Sequence, residues 1–363
     1  MANQVVLQGA VSQPVERSPM LQASVTIPIA AVNGLLSGPR ARGIATPQWI
    51  SAMLDAAGIA PARLQEVRSR VTPDQYTALF TAIVANLDDE CMSHLSRPLR
   101  QGSFALMVRS TTGARTVESA LHRVADCFGL LQDDVALVVV RDGPLSGFAL
   151  EINEDASSGE NYLHELLLRV FWRLLAWLHG RRLVPRRFDF SYPQPAYAAA
   201  YERIFPARLR YTQPRSAAWF DAAALAVPVR RDTQAMQEFL RATPGNLLGP
   251  RLVEPATAAR VRSLLQQSSR SWPDLMSTSE RLHMSVSALQ RHLAAEGTSF
   301  QTLKDELRRD LAIVRLNSSQ VPLATLAGDL GFADSATFQR AFKNWTGSAP
   351  GSYRKRPVEA SPA

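Results

Sequence analysis

Residues 322–342, PLATLAGDLGFADSATFQRAF, predict two short helices joined by a tight turn. The apolar positions recur at helical spacing, at Leu323, Leu326, Leu330, Phe338 and Phe342. Gly331 supplies the positive φ that such a turn needs, and Asp334 or Ser335 can cap the second helix. The outward side of that helix carries Ser335, Gln339 and Arg340, side chains that can read base edges in the major groove of DNA.

The same pattern occurs a second time, roughly 48 residues earlier. Its small and apolar positions are Ser279, Leu282, Met284, Leu289 and Leu293. Ser285 is a natural N-cap, and His283 stands where the other copy has Gly331; histidine tolerates the left-handed region better than most residues. The outward face of this helix carries Ser287, Gln290 and Arg291. Because the pattern is duplicated at matching spacing, it favours two DNA-reading helices over an ordinary helical bundle.

One helix is predicted between the two copies, from Ser299 to about Ser318. At about 1.5 Å per residue it would span roughly 25–30 Å. Two reading helices on such a spacer could meet successive major grooves, about 34 Å apart on one face of a duplex. Beyond the second copy, Lys343 and Arg354 are expected to touch phosphate.

Two stretches of the second copy, LAGDLGF at 326–332 and FQRAFKNWTGSAPGSYR at 338–354, resemble the DNA-binding region of the AraC/XylS family of bacterial transcription regulators. The first copy is similar to another family run at 289–300, LQRHLAAEGTSF. It departs from the family pattern at His283, where a small or polar residue is usual, and at Leu293, where phenylalanine is frequent. The resemblance implies an all-α domain of two helix-turn-helix units joined by a long helix. It further implies double-stranded DNA and RNA polymerase as partners.

The upstream region resembles the arabinose-binding-type regulatory domain of the branch that includes ornithine-utilisation regulators. The residues that carry this resemblance are Leu163–Leu178, Phe188–Phe190, Tyr201–Phe205 and Trp219–Asp221. It implies a domain that senses a small-molecule effector, with a homodimer as a possible assembly.

Capping residues and alternation indicate the upstream elements. Helices are predicted at Thr46–Ala57, Thr72–Leu95, Val117–Phe128, Leu163–Leu178, Ala196–Phe205 and Asp232–Arg241. Extended segments are predicted at Val25–Ala31, Arg186–Ser191 and Ala217–Asp221, with a β-hairpin of Val135–Val140 and Gly147–Ile152. The acidic run Asp88–Glu90 is interpreted as a solvated helix face. This mixture favours an α+β sensing domain.

The chain therefore divides into five predicted segments. They are a flexible N-terminus (1–24), a ligand-sensing and dimerisation domain (25–240), a linker (241–255), a double helix-turn-helix DNA-binding domain (256–356) and a tail (357–363). The linker contains the Gly/Pro-rich run 243–250, TPGNLLGP.

Composition is consistent with this organisation. The formal net charge is +8, and residues 251–363 carry 15 Lys/Arg against 10 Asp/Glu, so the basic excess is denser in the DNA-binding region. The N-terminus lacks a signal peptide pattern, and charges interrupt the apolar helix at Leu163–Leu178, so a cytoplasmic, nucleoid-associated protein without a membrane span is expected. Cys91 and Cys127 are expected to be buried thiols.

Patterns of catalytic or cofactor chemistry are missing from the sequence: there is no Gly-rich phosphate loop, no nucleophile elbow and no metal-ligand spacing. No cofactor, no metal and no enzymatic activity are therefore predicted. For ligand sensing, Arg169 and Arg173 could receive a carboxylate, while Trp172, Phe188 and Phe190 could line an apolar pocket. The alternative is that these aromatic residues are core and the arginines coat a solvated face.

The resulting hypothesis is a sequence-specific transcription activator controlled by a small-molecule effector. Two alternatives remain. One is a ligand-independent regulator controlled by its abundance, and the other is an enzyme with an appended DNA-targeting domain.

Overall fold

The computed structural model describes residues 25–153, 161–198, 201–248, 256–268 and 272–354. The predicted flexible N-terminus (1–24) and tail (357–363) lie outside these residues. Within them the apolar side chains form two large buried clusters, one from Ile27 to Leu248 and the other from Ala258 to Tyr353.

The first core is an α+β arrangement. Its strands are β1 (Ile27–Pro28), β2 (Arg70–Val71), β3 (Val135–Asp142), β4 (Leu145–Ile152), β5 (Arg187–Asp189), β6 (Arg208–Arg210) and β7 (Ser216–Asp221). Its helices are α1 (Ile29–Ala41), α2 (Pro47–Ala56), α3 (Pro73–Leu87), α4 (Ser103–Ser110), α5 (Val117–Leu131), α6 (Asn161–His179), α7 (Tyr201–Ile204), α8 (Ala222–Leu225), α9 (Thr233–Arg241) and α10 (Gly245–Leu248). A 3-10 helix spans Pro61–Gln65.

Five strands make one sheet in the order β3-β4-β7-β5-β6. The predicted hairpin is confirmed, with Val135 opposite Ile152 and Asp142 opposite Leu145. Helix α6 packs on this sheet through an edge-to-face contact of Phe148 with Phe171, whose ring centroids are 5.9 Å apart. Strand β6, which pairs parallel to β5, was not predicted.

Several predictions in this region are wrong. Residues 29–31 begin helix α1 instead of extending a strand. Gly34, Gly38 and Pro39 obscured that helix because all are poor helix formers, yet Gly38 permits a close approach: a Cβ there would lie 2.4 Å from the carbonyl oxygen of Met92. The helix predicted over 196–205 is only the short α7 among the described residues.

The third error is the end of α3, which stops at Asp88 in a left-handed conformation (φ 50°) instead of continuing to Leu95. The acidic run that follows is therefore not a solvated helix face. Asp89 is almost fully buried and accepts hydrogen bonds from the backbone N–H groups of Cys91, Ser93 and Leu99 at 2.7–2.9 Å. It organises a loop because its two oxygens satisfy donors that the chain reversal leaves unpaired.

The predicted linker, 241–255, contains ordered structure. Residues 245–248 form α10, and Leu247 and Leu248 are buried in the first core. The remainder of the linker, 249–255, lies outside the described residues.

The second core is all-α. It consists of α11 (Ala256–Gln267), α12 (Leu275–Arg281), α13 (Val286–Ala295), α14 (Phe300–Ser318), α15 (Leu323–Asp329), α16 (Ser335–Thr346) and a 3-10 helix at Pro350–Tyr353. Helix α14 is the predicted spacer, and Ser299 caps it by accepting a hydrogen bond from the N–H of Thr302. An α+β domain and an all-α domain with two helix-turn-helix units confirm the predicted fold class.

The two cores touch each other. The Thr26 hydroxyl donates to Asp310 on α14 at 2.6 Å, and the Gln75 amide donates to Asn317 at 3.0 Å. At a third point the Arg63 guanidinium lies 4.0 Å from the ring centroid of the buried Tyr353. No helix in the described part of the chain is long and apolar enough to cross a membrane.

Candidate nucleic-acid interface

The two helix-turn-helix units have the same turn. His283 has φ 55° and Gly331 has φ 72°, so both occupy the left-handed position predicted for the turn. The next N–H returns to the preceding helix in both units, from Met284 to the Ser279 carbonyl at 3.0 Å and from Phe332 to the Ala327 carbonyl at 2.9 Å. Histidine therefore replaces glycine without changing the turn.

Both reading helices, α13 and α16, begin at a side-chain cap. Ser285 Oγ accepts from the N–H of Ala288 at 3.2 Å, as predicted. Of the two cap candidates in the second unit, Asp334 is the cap, and it accepts from the N–H of Thr337 at 2.7 Å. Hydrogen bonds from Thr337 also lower the pKa of Asp334, because they stabilise its charged form.

The predicted DNA-facing side chains lie on the outer surfaces of these helices. In the first unit all three are exposed: Ser287, Gln290 and Arg291. In the second unit the exposed ones are Gln339, Arg340 and Lys343, while Ser335 is half-buried. Gln339 donates to Ser335 Oγ at 3.1 Å, and Arg340 donates to Thr337 Oγ1 at 3.2 Å. Each unit therefore presents one glutamine and one arginine, adjacent in sequence, from a capped helix.

Arg354, the other predicted phosphate contact, lies within the domain. It donates to the Gln320 side chain at 3.1 Å and to the Val321 carbonyl at 2.5 Å, which ties the end of the second unit to the loop after α14. Its contact with phosphate stays a prediction.

Trp272 joins the two units, and sequence reasoning did not identify it. It is buried ahead of α12, and its indole N–H donates to the Asp329 carbonyl at the end of α15, at 2.8 Å. The Arg308 guanidinium lies between two rings, 4.9 Å from that of Trp272 and 4.8 Å from that of Phe332, and donates to the Gly331 carbonyl. The only sequence signal was an isolated tryptophan before the first unit.

The basic residues of α14 hold the units in place. Lys304 donates to the carbonyls of Trp272 and Pro273, each at 3.1 Å, and Arg315 pairs with Asp329 at 2.5 Å. Burial lowers the pKa of both Lys304 and Arg308. These cations therefore tie the segment before α12 and the turn after α15 to the spacer helix.

The predicted ligand residues fall into two groups. Trp172, Phe188 and Phe190 are buried in the first core, where Trp172 meets Phe188 edge to face at 5.5 Å. Arg169 and Arg173 instead line a cavity between α6 and α14. A ligand contact of the three aromatic residues stays a prediction. The described residues include no cluster of three or more His, Cys, Asp or Glu side chains that could hold a metal ion.

Comparison with known proteins agrees with this architecture. The model of the N-terminal arabinose-binding domain of AraC transcription regulators matches residues 50–229, and a helix-turn-helix domain model matches residues 278–356. The Ornithine utilization regulator of Pseudomonas aeruginosa is 25% identical over 342 residues, which is 94% of this chain and 100% of that protein. The regulator VqsM of the same organism is 30% identical over 95 residues, 26% of this chain and 29% of that protein.

Among solved structures, the transcriptional regulator CdpR from Pseudomonas aeruginosa aligns with 89% of this chain and 97% of its own, at 19% identity and a TM-score of 0.31. The two domain models and the relative aligned over its full length share this order of domains. The chain belongs to the AraC family of transcription regulators and is a sequence-specific DNA-binding protein with an arabinose-binding-type domain ahead of two helix-turn-helix units.

Proposed function

We propose that this regulator activates transcription in response to a small-molecule effector, with α13 and α16 in successive major grooves of one duplex. The observation that carries the proposal is the matched geometry of the two units: the same turn, the same type of cap, and an outward Gln-Arg pair in each. The 19-residue spacer α14 has a length of about 28 Å, which suits grooves about 34 Å apart.

Each exposed side chain has a separate role in this proposal. Arg291 and Arg340 read guanine or clamp phosphate, Gln290 and Gln339 pair with adenine, and Ser287 and Ser335 contact the adjacent backbone or base. Lys343 contacts phosphate because it is exposed one turn beyond Arg340. Contact with RNA polymerase and assembly as a homodimer come from the family and form part of the proposal. So does the division into a sensing domain up to residue 240 and a DNA-binding domain from 256.

Control by an effector is supported by the arabinose-binding-type domain and by the cavities between its elements. A regulator controlled only by its abundance would have DNA affinity that no metabolite changes. We propose no enzymatic activity, since the relatives are transcription regulators; turnover of a metabolite by the purified protein would contradict this.

Selection of bound duplexes from a random pool tests the DNA-binding arrangement. The full chain should enrich a motif with two half-elements about one helical turn apart. The double variant Arg291→Ala/Arg340→Ala should lose that motif, while a control variant at an exposed arginine of the first core, Arg208→Ala, should retain it. Enrichment of a single element, or a motif unchanged in the double variant, would contradict the arrangement.

A further inference from the structure

A cavity of about 530 Å³ lies between the sensing domain and the DNA-binding domain. Its walls are the segment Val25–Ala31, helix α6 of the first core and helix α14 of the second core. The charged residues that line it are Arg70, Arg169, Arg173, Glu306 and Arg309. A ligand in this cavity would therefore touch both domains at once.

Two of these arginines are buried side by side on α6. Arg169 is 8% exposed and Arg173 is 6% exposed, and the two are one helical turn apart on the same face. Arg169 donates to the Tyr76 hydroxyl at a long 3.5 Å, and its Nε has no hydrogen-bond partner among the described residues. Glu165, one turn earlier on α6, already contributes negative charge near Arg169. What indicates a further anionic ligand is the Nε of Arg169, a buried donor that is costly to leave without a partner.

The carboxylates close to the cavity are already engaged. Glu306 accepts a hydrogen bond from Arg262 at 3.2 Å, and Asp310 pairs with Arg309 at 2.9 Å while it accepts from the Thr26 hydroxyl. The lining thus has four guanidinium groups and one carboxylate that another arginine holds. Among the described lining residues the arginines outnumber the carboxylates, which favours a negatively charged ligand.

The size and shape of the cavity suit an organic anion. A neighbouring cavity of about 630 Å³ shares five lining residues with it: Pro28, Ala30, Ala31, Tyr197 and Ile204. Most of these are apolar, so the cavities meet across an uncharged surface. A small molecule with one carboxylate and a short uncharged body would place its charge on the arginines and its body along that surface.

We propose that this cavity binds a small organic carboxylate, clamped by Arg169 and Arg173 on α6, and that Arg309 on α14 transmits its presence to the DNA-binding domain. This inference rests on the proposed effector control and gives it a site and a chemical class. The ligand bridges a helix of each domain, so it stabilises one arrangement of the two domains over others.

The first experiment measures the thermal midpoint of the full chain with defined probes. These are the aliphatic carboxylates from acetate to hexanoate, succinate and the natural amino acids, each beside its amide, with inorganic phosphate as a separate probe. At least one carboxylate should raise the midpoint saturably by several degrees, while its amide should not. The proposal is wrong if no carboxylate acts, or if phosphate acts equally well, since the site would then recognise charge alone.

Variants locate the effect. Arg169→Met and Arg173→Met should each abolish the shift, because methionine retains the apolar stem and removes the charge; Arg208→Met is the exposed control that should retain it. Arg169→Lys keeps the buried positive charge and is the control for misfolding caused by loss of that charge. Because lysine lacks the bidentate geometry of arginine, this variant should weaken the apparent affinity at least tenfold. A shift that survives in both methionine variants would place the ligand elsewhere.

Coupling is measured on the selected duplex. The active carboxylate should change the DNA affinity of the wild type at least fivefold, a typical coupling between two sites. In Arg309→Met that change should disappear while the thermal shift persists. A ligand that binds without changing DNA affinity would overturn the coupling. The duplex selection tests the proposed DNA contacts independently of this result.

Discussion

The arginines of the second core differ in how firmly they are held. Arg340 is exposed and donates a hydrogen bond to Thr337 Oγ1 at 3.2 Å. Arg308 and Arg315, in contrast, are held by aromatic rings and by Asp329. An exposed arginine gives up few contacts within the protein when it binds a base. An arginine held by other side chains would first have to break contacts that stabilise the domain.

Arg340→Ala should therefore weaken binding of the selected duplex by roughly 1–3 kcal/mol and relax preference at one base pair. Titration of that duplex and of its single-base variants measures both effects. Lys343→Ala is the matched control: it should weaken all duplexes about equally and reduce the salt dependence. Unchanged base preference in Arg340→Ala would contradict its role in readout.

Burial of His94 makes the first core sensitive to acid. Burial lowers the pKa of His94 from 6.5 to about 4. The folded-state pKa lies below that of the unfolded chain, so the unfolded chain binds more protons between these values. The stabilising contribution of neutral His94 is complete above about pH 6.5 and is lost as pH falls towards 4.

Lowering the pH from 7 to 5 should thus decrease the free energy of unfolding of the first core by about 2 kcal/mol on account of this residue. In His94→Gln this part of the pH dependence should vanish, whereas in His122→Gln, at an exposed position on α5, it should remain. Urea unfolding at the two pH values measures the difference. Equal pH dependence in wild type and His94→Gln would contradict the assignment.

At the scale of elements, the turn of the second unit does two things. Gly331 takes a left-handed conformation, and it also lies against the ring that joins the units: a Cβ there would be 2.8 Å from Trp272 Cδ1. Gly297, after α13, has nearly the same φ (+74° against +72°), but a Cβ there would meet nothing within 4 Å. Comparing substitutions at these two glycines therefore separates the cost of backbone strain from the cost of a clash with Trp272.

Both Gly331→Ala and Gly297→Ala should cost the backbone strain of a left-handed alanine, roughly 1–2 kcal/mol. Gly331→Ala should cost about 1–3 kcal/mol more, because it must displace Trp272. Thermal unfolding of the second core measures the difference. Gly331→Ala should also reduce discrimination against duplexes with altered half-element spacing, while Gly297→Ala should not. Equal effects of the two substitutions would show that Trp272 does not fix the spacing.

At the scale of the whole molecule, the two cores are joined through Tyr353 of the second core. The Tyr353 hydroxyl lies 3.0 Å from Ser69 Oγ and accepts from the Arg70 N–H at 3.2 Å. Arg63 covers its ring and donates to the Ser352 carbonyl at 3.2 Å. The residues of this junction and the residues that line the arginine-rich cavity both lie where the Val25–Val71 region meets the second core.

Arg63→Met should loosen this junction without unfolding either core. We expect hydrogen exchange at 68–71 and 344–353 to accelerate together by roughly tenfold, since the buried Tyr353 ring loses its cation and the Ser352 carbonyl loses a hydrogen bond. Amides of strand β4 should be unaffected. Arg241→Met, at an exposed position on α9, is the control and should change neither segment. Acceleration confined to one side would show that the two segments do not stabilise each other.

Much of this architecture followed from short-range patterns in the sequence. The caps of α2, α3 and α13, the hairpin of β3 and β4, and the repeated turn at His283 and Gly331 were all predicted from residues within a few positions of one another. Periodicity and capping act locally, so one chain segment contains all the information required.

The tertiary structure decided what distant residues do to one another. Asp89 became a buried loop organiser because Leu99 returns to it, and α1 formed despite Gly34, Gly38 and Pro39 because Val32, Leu35 and Leu36 are fully buried. Trp272 and Arg308 gained their role from a contact between two repeats. Arg169 and Arg173, predicted to receive a carboxylate, line a cavity only because α14 lies opposite α6 in the folded chain. Burial and electrostatic environment depend on residues far apart in the chain, and local sequence patterns do not contain them.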